Sequence, residues 1–290
     1  MKKKFSGVFT ALITPFKKDL SIDFTALEKL IEKQITSGID GIVALGTTGE
    51  SPTISHQDHS EVIKFIINKV AKRCLVIAGT GSNCTEEALF YSKKAQKDGA
   101  DALLQVVPYY NKPTQKGLLE HFKLLAEKVD LPQIIYNIKG RCAVNLANET
   151  LFQLAKLPNI IGVKESSGDI NQMMDVLQNC PQLTVLSGDD NFTFPLLSLG
   201  GNGVVSVLSN FLPLEVKSMV DAFFAGDFLK AQKIHFELLP KMKACFLETN
   251  PIPIKTLHAL KGECENIFRL PLCPANESTV KKLREVFNES

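Results

Sequence analysis

The chain has 290 residues, which suits one large α/β barrel or two ordinary domains and allows a large buried core. Its 44% hydrophobic and 22% charged content is ordinary for a globular protein. A net charge of +2 with interspersed signs argues against a nucleic-acid surface, and no apolar stretch approaches the roughly 20 residues of a membrane span.

In chain order, the basic start, Lys2 to Lys4, suits a phosphate or membrane contact but reads better as a solvated N-terminus. With the apolar run behind it, it has the outline of a signal peptide. Ser6, Gly7, Thr10 and Thr14 break that run, Pro15 ends it, and no small-residue cleavage site follows cleanly. The run is read instead as a first strand, Val8–Ile13. Further strands are expected at Gly41–Leu45, Leu75–Ala78, Ala102–Val107, Gln133–Tyr136, Ile160–Lys164, Thr184–Leu186 and Gly203–Val207. Helical patterns separate them, for example at Phe24–Thr36, Gln57–Val70, Glu86–Lys97 and Lys116–Lys128. Ser37-Gly38 and Asp98-Gly99 mark helix ends where glycine supplies the left-handed cap.

Strands alternating with helices imply a parallel sheet, and eight of them in about 225 residues favour a closed (β/α)8 TIM barrel. Residues 226–290 have no strand candidate. They carry helical patterns at Asp227–Lys243, Pro253–Leu260 and Glu277–Phe287, the first two separated by the Asn250-Pro251-Ile252-Pro253 break. The expected division is therefore a barrel over 1–225 and a C-terminal helical region over 226–290 that packs on it. The seven cysteines are scattered without a C-x-x-C, and the five histidines add no zinc-type spacing. Buried thiols in a reducing cytoplasm fit this pattern, with no disulfide and no structural metal.

In such a barrel the chemistry belongs where strands run into their following loops. The second strand ends Gly46-Thr47-Thr48-Gly49-Glu50, a turn whose amides and hydroxyls suit a carboxylate; alone it is also an ordinary Gly-rich turn. The fourth ends Tyr109-Tyr110-Asn111-Lys112-Pro113, paired tyrosines that either pack or supply phenolic protons. Tyr136 at the end of the fifth is placed for general acid–base work, and Arg141 offers a fork for a carboxylate or, more simply, a surface ion pair. The sixth strand ends in Lys164. Burial there penalises the ammonium and moves its pKa from about 10.4 towards neutrality, which makes a Schiff-base nucleophile. On that segment alone an ion-paired or snorkelling lysine is the better reading. The last two strands carry Ser187-Gly188-Asp189-Asp190 and Gly201-Asn202-Gly203-Val204-Val205-Ser206, glycine-dense segments that permit close backbone approach to a ligand, a phosphate among them.

Taken together and in order, these segments resemble the dihydrodipicolinate synthase family, the pyruvate-dependent lysine aldolases that also include N-acetylneuraminate lyase. The similarity runs from Val8 to Phe16 through Gly46-Thr47-Thr48-Gly49-Glu50, Tyr110-Asn111-Lys112-Pro113 and Val163-Lys164-Glu165 to Asn250-Pro251-Ile252-Pro253-Ile254-Lys255. It implies a barrel with a C-terminal helical region, assembled as a homotetramer (a dimer of dimers). The implied reaction joins pyruvate to L-aspartate 4-semialdehyde through an imine on Lys164. Tyr136 is the implied proton donor and acceptor, with Thr47 and Tyr110 as relay partners, Tyr110 reaching in from the neighbouring subunit. Thr48 would hold the pyruvate carboxylate, Val205 and Gly188 would act through backbone carbonyls, and Arg141 would take the semialdehyde carboxylate. No metal or organic cofactor is implied, because the protonated imine is the electron sink.

The resemblance also implies an inhibitory L-lysine site at Ser51, His56, His59, Asn83, Glu87 and Tyr109, though each is a common surface residue type. One segment departs from the family pattern after Tyr136-Asn137. Lys139 stands where a proline is usual, and Cys142-Ala143 replace Thr-Gly. Ala143 is strained if that position needs φ > 0. Other pyruvate-dependent aldolases, acting on sialic acid or keto-deoxy sugar acids, and a non-catalytic lysine or pyruvate sensor remain the competing readings.

Overall fold

The computed structural model describes residues 5–289; the Lys2–Lys4 start lies outside them. Eight parallel strands close on themselves in sequential order: β1 (Gly7–Ala11), β2 (Gly41–Ala44), β3 (Leu75–Gly79), β4 (Ala102–Val106), β5 (Gln133–Asn137), β6 (Ile160–Glu165), β7 (Thr184–Ser187) and β8 (Gly203–Ser206). The ring is completed by β8 against β1, with Phe9 opposite Val205. The helices between strands are α1 (Phe24–Thr36), α2 (His56–Val70), α3 (Thr85–Asp98), α4 (Gln115–Lys128), α5 (Lys139–Cys142), α6 (Asn148–Leu154), α7 (Ile170–Asn179), α8 (Thr193–Ser198) and α9 (Pro213–Phe224). The expected strands all form, within two residues of their expected ends. β1 stops at Ala11, not Ile13, because the Ile13 amide turns to the Asn210 side chain at 3.0 Å.

Alternation along each strand sorts the side chains. Phe9, Val43, Ile77, Leu104, Ile134 and Val205 pack together inside the barrel. Their neighbours Val8, Ile42, Val76, Leu103, Ile135 and Val204 pack with the clusters under the helices. Helix ends follow local chemistry. Asp23 accepts the Thr25 and Ala26 amides at the start of α1, and Gly99 ends α3 at φ +94°.

After α9 come α10 (Phe228–Ala244), α11 (Ile252–Leu260) and α12 (Glu277–Phe287). α10 lies along α9, and α12 covers α10 and α11. This region is tied to the turn after β2 by a pair with both side chains fully buried: Lys255 Nζ donates to Glu50 Oε1 at 2.7 Å. Burial raises the Glu50 pKa and lowers that of Lys255, and each charge opposes the other's shift. Lys255 also faces the Phe16 and Phe268 rings at 4.1 and 4.8 Å, and Arg269 donates to the Thr53 carbonyl at 3.1 Å and to Asp58.

Removing one member of this pair strands a charge away from water. Lys255→Met is expected to cost about 3–5 kcal/mol in urea unfolding, and a second change, Glu50→Leu, to recover most of the loss. A single-variant loss below about 1 kcal/mol would mean that the pair carries no structural role.

Candidate active site

Lys164 lies on β6 in register with Tyr136 on β5 and Leu186 on β7, and Tyr136 and Leu186 belong to the barrel interior. Its side chain therefore points inward at the C-terminal mouth. The residue is 5% exposed, and its Nζ sits 3.7 Å from the centre of the Tyr136 ring. Burial lowers the amine's pKa to about 7; Asp189 and Asp190 pull it up, and Arg141 pushes it further down. A large fraction of the amine is thus neutral near pH 7.

Tyr136 is 4% exposed, and burial raises its phenol pKa well above the usual range. Asp189 adds to that rise, while Arg141, Ser166 and Thr47 oppose it. The phenol keeps its proton and is held beside the amine, which suits a proton donor. Thr47 and Thr48 sit on a short 3-10 turn, Thr47–Gly49, directly after β2. Thr48 is buried, and its Oγ1 accepts a hydrogen bond from Asn250 Nδ2 at 2.9 Å. Gly188 must lack a side chain: a Cβ there would lie 1.9 Å from Ser166 Oγ and 2.9 Å from Lys164 Cε. Val205 is buried on β8 within the barrel interior.

Two further carboxyl groups belong to this neighbourhood. Asp190 accepts from Ser206 Oγ at 2.5 Å and from the Val207 and Leu208 amides at 2.9 and 3.1 Å. Burial raises its pKa and that of Asp189, and Lys164 lowers both. In the sequence these acids read only as part of a Gly-rich turn. Ser166, whose buried Oγ has no partner of hydrogen-bond geometry, read as loop. Asn250 read as a helix break, and nothing local signalled that it returns to Thr48.

Arg141 is exposed on the short α5, and its Nη2 donates to the Asn250 carbonyl at 3.0 Å. It borders a cavity of about 570 Å³ that also reaches Thr47. Of the residues implied to hold lysine, Ser51, His56, His59, Glu87 and Tyr109 line that cavity. Asn83 does not line it; its carbonyl accepts from the Asn111 side chain at 2.9 Å. Tyr91, which the sequence reading missed, organises the wall. Its hydroxyl meets His56 Nδ1 at 2.5 Å, and its ring stacks on His59 at 3.9 Å. Burial lowers His59 to about 4, so it is neutral at pH 7. Glu87 lies 3.5 Å from His56 Nε2 and accepts from Ser82 Oγ. Tyr110 is 89% exposed at φ +72° and is not part of the cavity wall. Among the described residues no cluster of histidine, cysteine and acidic side chains is set to hold a metal ion.

The altered segment does carry backbone strain. Ala143 ends α5 in the left-handed region at φ +56°, ψ 17°. Cys142 beside it is buried, which pushes its thiol up to about 11, so it stays protonated and unreactive at pH 7.

The family model for the dihydrodipicolinate synthetase family matches residues 4–290. A 4-hydroxy-tetrahydrodipicolinate synthase of Endomicrobium trichonymphae is 51% identical over 286 residues, 98% of each chain. Among solved structures, the dihydrodipicolinate synthase of Acinetobacter baumannii complexed with pyruvate superposes with a TM-score of 0.95 at 41% identity over 98% of each chain. The enzyme of Cyanidioschyzon merolae with lysine bound gives 0.96 at 42% identity, covering 99% of this chain and 98% of its own. The chain belongs to the dihydrodipicolinate synthetase family and is an enzyme of it.

Because a left-handed alanine costs about 1–2 kcal/mol and glycine's extra unfolded-state freedom offsets only about half of that, Ala143→Gly is expected to stabilise the protein by about 0.5–1 kcal/mol. Denaturant melts of the two forms check this, and an unchanged or lowered midpoint refutes the strain.

Proposed function

We propose that this enzyme condenses pyruvate with L-aspartate 4-semialdehyde to give 4-hydroxy-tetrahydrodipicolinate, a step of diaminopimelate and lysine biosynthesis. The observation that carries the reading is the Lys164 amine, buried in the barrel mouth, lowered to about 7 and in contact with Tyr136. The relatives of that name and the pyruvate-bound Acinetobacter baumannii structure support it.

In this reading neutral Lys164 attacks the keto carbon of pyruvate, and the adduct loses water with Tyr136 passing the proton. The resulting iminium draws electrons from C3, which gives up a proton to leave an enamine. The enamine carbon attacks the semialdehyde carbonyl, whose oxygen takes a proton through Tyr136 and Thr47. The substrate's own amine then adds to the iminium carbon, closes the ring and expels Lys164. Thr48 would hold the pyruvate carboxylate, Arg141 the second carboxylate, and the Gly188 and Val205 carbonyls would border the imine. Arg141 favours this over cleavage of a sugar acid, which needs hydroxyl recognition instead of a second carboxylate site.

The second-site residues support L-lysine as a feedback inhibitor. Glu87 supplies an anion for an ammonium group, neutral His59 avoids repelling one, and the Cyanidioschyzon merolae relative has lysine bound. Tyr109 on the cavity wall is followed by Tyr110, which is exposed enough to serve a neighbouring subunit of a homotetramer and so to couple the two sites. No helix among the described residues is long and apolar enough to cross a membrane, and free, scattered cysteines suit the cytoplasm.

Borohydride reduction in the presence of pyruvate is expected to label Lys164 and no other residue, as peptide mass spectrometry would report. Lys164→Ala should lose turnover by about 10³-fold or more with the fold intact, and near-normal turnover would overturn the assignment. Protonation removes the nucleophile, so imine formation should fall about tenfold per pH unit below 7 and level off above it. Calorimetry with L-lysine should show binding and matching inhibition; unchanged activity with no heat at millimolar-order lysine would remove the regulatory site.

A further inference from the structure

Asn250 touches both of the groups assigned to carboxylates. It is 5% exposed and lies just before α11 in the C-terminal helical region. Its Nδ2 donates to Thr48 Oγ1 at 2.9 Å, and its backbone carbonyl accepts from Arg141 Nη2 at 3.0 Å. Its Oδ1 is buried without a partner. We propose that Asn250 is a positioning residue that sets the hydrogen-bond polarity of Thr48 for pyruvate and anchors Arg141 for the second substrate.

This role rests on the aldolase reading and deepens it. A threonine hydroxyl has one proton and accepts as well as donates. When an amide N–H fills its acceptor side, its own proton is left to point at a ligand. A carboxylate presents only acceptors, so this orientation is the one that binds it. If the neighbour were an acceptor, the hydroxyl would turn towards it and present lone pairs to the substrate anion. Asn250 is fixed in this pose by its surroundings. Lys255, five residues on, is tied to Glu50, two residues beyond Thr48, so two contacts from one short segment grip the same turn. The Arg141 contact uses the main chain, so it survives replacement of the Asn250 side chain.

Asn250→Asp keeps the shape and removes the donor, whereas Asn250→Ala removes donor and shape together. A purely structural role makes the alanine variant the worse of the two. A polarity role makes the aspartate variant worse for pyruvate, because it reverses the hydroxyl and adds an anion. We expect the pyruvate KM to rise about tenfold in Asn250→Ala and about a hundredfold or more in Asn250→Asp, with a smaller change in kcat and in the semialdehyde KM. In a Thr48→Val background Asn250→Ala should add nothing further to the pyruvate KM. Each variant is also titrated with pyruvate under borohydride, which reads imine formation without the second substrate, and its fold is checked by circular dichroism. Wild-type pyruvate saturation in a folded Asn250→Asp enzyme, or additive effects with Thr48→Val, would overturn the inference while leaving the aldolase reading in place. Failure of the wild-type enzyme itself to be labelled would overturn that reading and this inference with it.

Discussion

Burying an amine among apolar side chains is the constraint around which this site is organised. A lysine in water at pH 7 is almost wholly protonated and is no nucleophile. Here the parallel barrel places Lys164 between Tyr136 and Leu186, in a ring of strands with no edge through which water could enter laterally. The barrel's inner packing lowers the amine to about 7, while Asp189 and Asp190 limit the fall. Both influences are needed. For the imine chemistry proposed above, full desolvation without the acids would disfavour the iminium cation, and acids without desolvation would lock the lysine as an inert ammonium.

The same tuning separates the partners. Tyr136 and Lys164 share one pocket, yet burial moves their affinities for protons in opposite directions, so the phenol remains an acid and the amine a base. Asp190 is kept ionisable by Ser206 and two backbone amides, which spread its charge over fixed dipoles near the end of β8. Gly188 is the steric condition for all this, since any larger residue would occupy the space of Ser166 and Lys164.

Much of the architecture was legible in the sequence because it is local. Short β-branched apolar runs ended by Gly or polar residues mark the strands, and Ser37-Gly38 and Asp98-Gly99 close helices as their composition requires. Lys164, Tyr136 and Thr47 were legible through position at strand ends together with the family resemblance, and the structure brings them to one mouth of the barrel. What stayed hidden depends on distant contacts. Asp189 and Asp190 are ordinary turn residues until β6 and β8 pack beside them, Tyr91 is a helix residue until His56 and His59 stack on it, and Asn250 reads as a helix break. Tyr110 stands apart for another reason: its implied task needs a second subunit, and in the single chain it simply faces outward.

The tie between Lys255 and Glu50 spans 205 positions of the chain, and that between Asn250 and Thr48 spans 202. During synthesis on the ribosome the first half of the barrel therefore emerges long before the segment that will hold its second loop. Until then Glu50 can stay in water, where an unpaired carboxylate costs nothing, whereas its burial is offset only with Lys255 at hand. The nascent chain can thus carry all eight strands while the loop after β2 still lacks its C-terminal partners. The contact that seats Thr48 therefore waits until every strand of the barrel has been made, which ties completion of the loop after β2 to the arrival of the C-terminal helical region.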